Sequence, residues 1–344
     1  MKIVYIMGAG TSKEAGAPLL KEFFSAAENL LNSNKIDSKA KEKFNHVLEF
    51  RRKYLPNSNI EQLFSYLELR LVVGSEGSIE DVRNDLIYLI GKVLNVVLKN
   101  SDIRIHKNFM FYCGTENSTV ISLNYDILCD NNYSTYNPLS DTVIFGLDTE
   151  KIRDINYGCN YTKFEGNLDN LKEVLPSERQ KLLKLHGSLN WLYCKKHGLY
   201  STLDGKVHHL LYEYESKFKC PRCKENLEPL IIPPSLTKLV FIENNSPLKS
   251  IWSEAFNELS KAEKVVIIGY SFPETDIHFK LFLEGAFREN VEKRKMPIDV
   301  TVVTRRKYGS DKIIFEDTYK NIFKSLNDTV RISFVYLNFS EYKK

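Results

Sequence analysis

Apolar residues follow two rhythms along this chain. Ile3–Met7 is an unbroken run of five that stops at Gly8. A continuous run of that length predicts a strand covered on both faces, as in a parallel sheet. From Ser12 or Pro18 to about Leu31 the rhythm becomes helical, with Leu19, Leu20, Phe23, Phe24, Ala27, Leu30 and Leu31 on one face. From Asp37 to Asn100 it stays helical in three stretches, marked by Phe44, Val47, Leu48 and Phe50, by Ile60, Leu63, Phe64 and Leu67, and by Leu86, Leu89, Ile90, Val93, Leu94 and Val97. Breaks fall at Pro56–Asn59 and Gly74–Gly77, which predicts an all-helical insertion after the first strand–helix unit. Strand signals return at Thr119–Leu123 and Lys181–Leu185. The stretch between Asn131 and Glu178, rich in Asn, Tyr and Asp, predicts loop or short irregular elements.

Residues 192–232 mix aromatic and β-branched runs and predict a small β-rich module. Strand and helix then alternate: Val265–Ile268, Ile277–Phe287, Val300–Val303, Ile314–Leu326 and Val330–Val335. Such alternation predicts a parallel, doubly wound sheet. The expected organisation is α/β, with 1–36, 102–191 and 233–344 forming the sheet domain, 37–101 the helical insertion and 192–232 the small module.

Composition narrows the class. The chain has 344 residues, 43% hydrophobic and 27% charged, enough for about two units with buried cores. A net charge of +4 is too small an excess to point to direct nucleic-acid binding or an anionic membrane. No apolar run approaches the ~20 residues of a membrane helix. The N-terminal run passes straight into a glycine turn, without a signal-peptide core, so a cytoplasmic protein is expected. Six cysteines, scattered apart from Cys220 and Cys223, fit a reducing compartment better than a disulfide framework.

Four strand ends carry candidate chemistry. Gly8-Ala9-Gly10-Thr11-Ser12 opens a helix directly after the first strand; its glycines would let a pyrophosphate approach, and its hydroxyls and helix N-terminus would donate to it. The third glycine, Gly16, follows Gly10 by six residues, so the spacing departs from the common dinucleotide fingerprint, and a plain strand-to-helix turn is the alternative. Asn124 and Asp126 end the next strand, either as a polar-ligand site or as caps of the segment that follows. His186, before Gly187 at another strand exit, is a candidate general base. Gly269 and Ser271 leave a fourth strand and suit a ribose, with Thr275 or Asp276 as a helix cap in the alternative. Separately, Cys194-x-x-His197 and Cys220-x-x-Cys223 have zinc-ribbon spacing and predict one tetrahedral, structural ion, with His208 and His209 as competing ligands.

In this order the motifs resemble the sirtuin superfamily: Gly8-Ala9-Gly10-x-Ser12-x-x-x-Gly16-x-Pro18, Asn124-x-Asp126, His186-Gly187, a two-knuckle module, then Gly269-x-Ser271. The resemblance implies a Rossmann-like NAD-binding domain and cleavage of the nicotinamide–ribose bond. It places Gly8, Ala9, Gly10 and Ser12 at the phosphates and Gly269 and Ser271 on the adenosine side. It also places Asn124 by the nicotinamide ribose and Asp126 on the carboxamide, with His186 as base. Deacylases of the family carry Asp-Phe-Arg where this chain has Leu19-Leu20-Lys21, and Phe-Gly-Glu where it has Pro229-Leu230-Ile231-Ile232-Pro233-Pro234-Ser235. They also have an Asn near Thr304, and their helical insertion is smaller. These departures are similar to the NAD-hydrolysing sirtuin-like proteins of bacterial anti-phage defence. That branch implies NAD depletion as the output, a homo-oligomer, and activation by assembly or by a partner such as an Argonaute-type protein or a translocating ATPase. Protein deacylation or ADP-ribosyl transfer is the alternative activity, and a non-catalytic NAD or ADP-ribose sensor is the alternative outside enzymes.

Overall fold

The computed structural model describes the chain except residues 75–76, 131–154, 166, 177–179, 203–217, 233–237, 274–275, 307 and 343–344. Its N-terminal part runs β1 (Ile3–Met7), α1 (Ala9–Lys13), α2 (Phe23–Leu31), α3 (Ser38–Tyr54), α4 (Ile60–Val72), α5 (Ser78–Leu98), α6 (Arg104–Thr115) and β2 (Thr119–Ser122). Six strands follow: β3 (Tyr161–Glu165), β4 (Asn167–Val174), β5 (Leu182–Lys184), β6 (Gly187–Cys194), β7 (Gly198–Thr202) and β8 (Glu228–Ile231). The remainder is α7 (Lys238–Asn244), α8 (Ser246–Leu259), β9 (Lys264–Ile268), α9 (Ile277–Arg294), β10 (Ile298–Val303), α10 (Gly309–Ile322) and β11 (Val330–Val335).

Six strands form one parallel sheet in the order β11-β10-β9-β1-β2-β5. Numbered among themselves and read from the β5 edge, they run 3-2-1-4-5-6, the Rossmann order, with the direction of winding reversing between β1 and β9. Every residue of β1 and β2 is buried, as expected of apolar runs covered on both faces. Register does the rest: Met7 aligns with Ser122 and Ile268, Ser122 with Lys184, and Ile268 with Val303. The chain therefore leaves five strands at one level of the sheet edge, through Gly8, Leu123, Leu185, Gly269 and Thr304.

The helices α3, α4 and α5 share a core built on Phe44, Leu48, Leu63, Phe64, Leu86 and Leu89. Asp37 caps α3 by accepting from the Ala40 amide, and Asn59 with Gln62 forms a capping box on α4. This core is continuous with Phe23 and Phe24 of α2 and with Leu128, Leu189 and Ile231, which flank the strand-end loops. The insertion is thus packed onto the sheet edge that carries the candidate residues.

A second sheet runs β4-β3-β7-β6-β8, antiparallel except for the β3–β7 pair. Part of it lies where the sequence predicts loop: β3 and β4 form a hairpin at its edge. β4 is mostly polar, because an outermost strand has a neighbour along one side only and needs little apolar pattern. The sheet also reaches beyond 192–232, taking in Tyr161–Val174 and the start of β6. Helices α6 and α8 have no counterpart in the sequence reading. Residues His208 and His209, Pro233-Pro234-Ser235 and Thr275 lie outside the described residues.

Candidate functional site

At the switch point the two glycine turns interlock. The Gly8 amide donates to the Ile268 carbonyl at 3.0 Å and the Gly10 amide to the Gly269 carbonyl at 2.8 Å. A Cβ on Gly10 would lie 2.7 Å from the Gly269 Cα, and one on Gly269, whose φ is +64°, would lie 2.6 Å from the Thr11 nitrogen. The glycines therefore serve first to bring two backbones together, whereas the sequence reading has them making room for a phosphate. The Thr11 amide is also engaged, on the Gly8 carbonyl at 3.0 Å. With α1 only five residues long, the dipole expected at its N-terminus is short too. What the turns present outward is the exposed Ala9, the half-buried Gly10 and Gly269, and the exposed Ser271.

Behind the first turn a polar relay joins β1 to β2. Asn124 Nδ2 lies within hydrogen-bond reach of the Gly8 carbonyl at 3.1 Å, Thr11 Oγ1 at 3.1 Å and Ser12 Oγ at 3.0 Å. Ser12 Oγ in turn donates to Asp126 Oδ2 at 2.6 Å, and the Leu128 amide donates to Asp126 Oδ1 at 3.1 Å. Asp126 thus makes the local backbone bond expected of a cap and, through Ser12, ties the second strand end to the first glycine turn. Ser12, Thr11 and Asp126 are all buried.

His186 follows β5 by two residues. Its Nδ1 lies 3.0 Å from the Leu123 carbonyl, which can only accept, so Nδ1 carries the proton and Nε2 holds a lone pair. That Nε2 is buried without a hydrogen-bond partner among the described residues. Burial first, then the positive charge of Lys238, brings the imidazole down to about 4, and Asp276 and the Leu123 carbonyl oppose this only in part. The ring is therefore a neutral acceptor at physiological pH. Gly187 next to it has φ +78°, and a Cβ there would stand 2.1 Å from the Leu230 carbonyl oxygen of β8. Gly187→Ala is expected to cost at least ~3 kcal/mol, from the strained φ together with the displaced β6–β8 pair. A melting curve that overlays wild type would show this reading to be wrong.

Two buried ionic groups at the site escape the sequence reading. Lys184 Nζ donates to the Asp126 carbonyl at 2.6 Å, to Asp130 Oδ2 at 2.8 Å and to Ser188 Oγ at 2.5 Å, with Lys184 and Asp130 side chains 1% and 0% exposed. The signal was a lysine inside an apolar run, which must find a partner when buried. Lys184→Met, leaving Asp130 as an unpaired buried charge, should destabilise by about 3–5 kcal/mol. The double change with Asp130→Leu should recover much of that loss in a denaturant titration. The second group is Lys238, 2.8 Å from Asp276 and 4.0 Å from Glu61. Asp276 does occupy the N-cap position of α9, but its carboxylate makes no capping bond and binds Lys238 and Tyr270 instead.

At the far end of β6, Cys194, His197, Cys220 and Cys223 bring one ligand atom each within 4.8 Å of one another. Cys194 Sγ is 3.6 Å from both His197 Nδ1 and Cys223 Sγ, and Cys220 Sγ is 3.4 Å from His197 Nδ1. Tetrahedral ligands about 2.3 Å from a common centre sit roughly 3.7 Å apart, so the set fits one ion with every position filled. Burial opposes ionisation of Cys220, but hydrogen bonds from Tyr200 and from the Cys223 and Arg222 amides outweigh it and bring the thiol down to about 6. A thiolate at neutral pH is what a metal requires.

Surface depressions of about 460 Å³ beside Trp252, Phe256 and Phe282 and about 390 Å³ beside Val291, Lys295 and Met296 touch none of these groups. No described helix is long and apolar enough to cross a membrane. No family model and no curated protein sequence matches the chain. Among solved structures, a Sir2 protein in complex with the inhibitor EX-527, 2′-O-acetyl-ADP-ribose and a deacetylated p53 peptide aligns at 14% identity. The alignment covers 99% of this chain and 90% of that one, with a TM-score of 0.36. A second structure, from work on the mechanism and regulation of Sir2 enzymes, aligns at 12% identity over 99% and 89%, also with a TM-score of 0.36. Likeness of this degree carries neither activity nor substrate across, and the α/β assignment stands on the strand order and register of the sheet itself.

Proposed function

We propose that the protein is an NAD hydrolase that cleaves the nicotinamide–ribose bond, releasing nicotinamide and ADP-ribose. The observation that carries this reading is the unpartnered Nε2 of His186, a buried acceptor nitrogen at a Rossmann sheet edge whose ring is held by the Leu123 carbonyl, one residue before Asn124. NAD is the substrate. Its phosphates lie along Ala9 and Gly10, with Gly8 shaping the turn; Thr11 and Ser12, expected from the sequence to donate to the phosphates, instead give their hydroxyl protons to the Gly8 carbonyl and to Asp126 and back the turn from inside, and the adenosine side lies along Gly269 and Ser271. Asn124 borders the nicotinamide ribose and Asp126 takes the carboxamide.

The bond between ribose C1′ and the pyridinium nitrogen breaks with its electron pair going to nitrogen, so nicotinamide leaves neutral. Water adds at C1′ and gives a proton to His186 Nε2, which later returns it to solvent. A desolvated site that fixes the carboxamide and supplies the base stabilises the positive charge building on the ribose. The Cys₃His set holds structural zinc, which anchors β6 and with it the His186–Gly187 corner. In the cell the activity depletes NAD in anti-phage defence, in a homo-oligomer switched on by its assembly or by a partner of the Argonaute or translocating-ATPase kind.

The test is incubation with NAD, with and without an acetyl-lysine peptide, following nicotinamide and ADP-ribose by mass spectrometry. Release without peptide, abolished in Asn124→Ala and His186→Ala, is the expected result. Release only with peptide would make the protein a deacylase. Tight binding of NAD with no release under any condition, including in the presence of candidate activators, would make it a sensor.

A further inference from the structure

Three charged side chains from three parts of the chain meet in the interior. Glu61 comes from the first turn of α4 in the helical insertion, Lys238 opens α7, and Asp276 stands at the start of α9. Their side chains are 4%, 2% and 3% exposed. Burying an ion costs several kcal/mol, and well-packed apolar residues often match or exceed the stability of a buried ion pair. Stability alone is therefore a poor reason for this triad. Asp276 even forgoes the N-cap bond open to it, typically worth about 1 kcal/mol, in favour of Lys238 and the Tyr270 hydroxyl, 2.5 Å away.

Two of the three, Lys238 and Asp276, are near enough to act on the charge of His186. Tyr125, whose ring centroid is 6.2 Å from that of His186, is held by a hydrogen bond from its hydroxyl to the Ile232 carbonyl, and it faces both Glu61 and Asp276. The charged and titratable groups facing the imidazole are Lys238 from α7, Asp276 from the start of α9 and Tyr125 from the loop after β2. Glu61, Tyr270 and His278 stand behind them on Lys238 and Asp276.

We propose that the Glu61–Lys238–Asp276 triad is a positioning device that sets the electrostatic field at His186 and so makes the helical insertion a working part of the site. This rests on His186 as the base of the proposed reaction. Lys238 adds to burial in disfavouring a proton on the imidazole, and the two carboxylates hold Lys238 in place. Glu61 acts through Lys238, so displacement of α4 is felt at the base.

The experiment is a titration of histidine-labelled protein by NMR without NAD, with the His186 signal assigned by its loss in His186→Gln. In Lys238→Met the His186 pKa should rise by roughly one unit, and in Asp276→Asn and Glu61→Gln it should fall, less for Glu61. Opposite shifts from the two halves of one ion pair are what a merely structural role would not give. The double variant Lys238→Met/Asp276→Asn, which leaves less unpaired charge buried, covers the case in which a single variant does not fold; its pKa should lie between those of the singles. Shifts in one direction for all variants, or none, would overturn the proposal. Because no NAD is present, the titration answers independently of whether NAD proves to be the substrate. With active protein, the acid limb of the rate should move with the same signs.

Discussion

Replacing His186 by alanine is expected to slow nicotinamide release by about 10²- to 10⁴-fold, the range a positioned general base contributes. The loss should fall on kcat, because the imidazole accepts a proton as water adds and makes little difference to holding NAD beforehand. Asn124→Ala should lose a similar factor, together with some stability, since its amide ties the first glycine turn to the β2 end. A His186→Ala rate within a few-fold of wild type would remove His186 from the mechanism.

The pH dependence follows from the same residue. With the folded imidazole at about 4, the base is ready throughout the neutral range, so the rate should be level down to about pH 5 and fall through pH 4. Stability carries the matching sign. An unfolded histidine takes its proton near 6.5, so between about pH 6.5 and 4 the unfolded chain binds more protons than the folded one. His186 therefore lowers stability progressively as the pH drops through that window, by about 3 kcal/mol at most. Comparing wild type and His186→Gln by denaturant titration at pH 7 and pH 4.5 isolates this term.

Removing the metal should have the second large effect. Among the described residues, the core around the Cys₃His set buries Phe164, Leu192, Tyr200 and Leu227 besides two of the ligands, with Phe218 packed against it half-buried. At about 1.5–3 kcal/mol per buried side chain, those four contribute about 6–12 kcal/mol, so the roughly 10–16 kcal/mol of a structural zinc site is a contribution as large as the whole of that core. Metal analysis should find one zinc per chain. Chelation, starting at the half-buried Cys223, or the substitution Cys223→Ser should raise amide exchange across β6, β7 and β8 while the six-stranded sheet stays protected. β6 begins at Gly187, so nicotinamide release should fall as well. A chelated protein with unchanged exchange and melting would mean that the four side chains hold nothing of consequence.

The legible parts of this protein were those governed by near neighbours. The apolar run Ile3–Met7 is a strand because every side chain in it needs cover, and Val330–Val335 is one because its apolar positions alternate with Arg331 and Ser333. The three stripes of the helical insertion are helices because their spacing admits one buried face. Turn chemistry marked the strand ends, and knuckle spacing marked the four side chains of the Cys₃His set. The β3–β4 hairpin was not legible, because an edge strand needs no apolar alternation. The purpose of Gly8 and Gly10 was not legible either, since the backbone that fills their Cβ positions belongs to Gly269 and Tyr270. Sequence alone thus determined the element types, the alternation that makes a doubly wound sheet and the candidate residues at its strand ends. Only the tertiary structure decided that Lys184 meets Asp130 and that Glu61, Lys238 and Asp276 converge, the last two near enough to act on the charge of His186. Asp130, Glu61 and Lys238 look ordinary among their chain neighbours, Lys184 stands out only as a lysine in an apolar run and Asp276 only as a cap, and a buried charge becomes intelligible only when the fold delivers its partner.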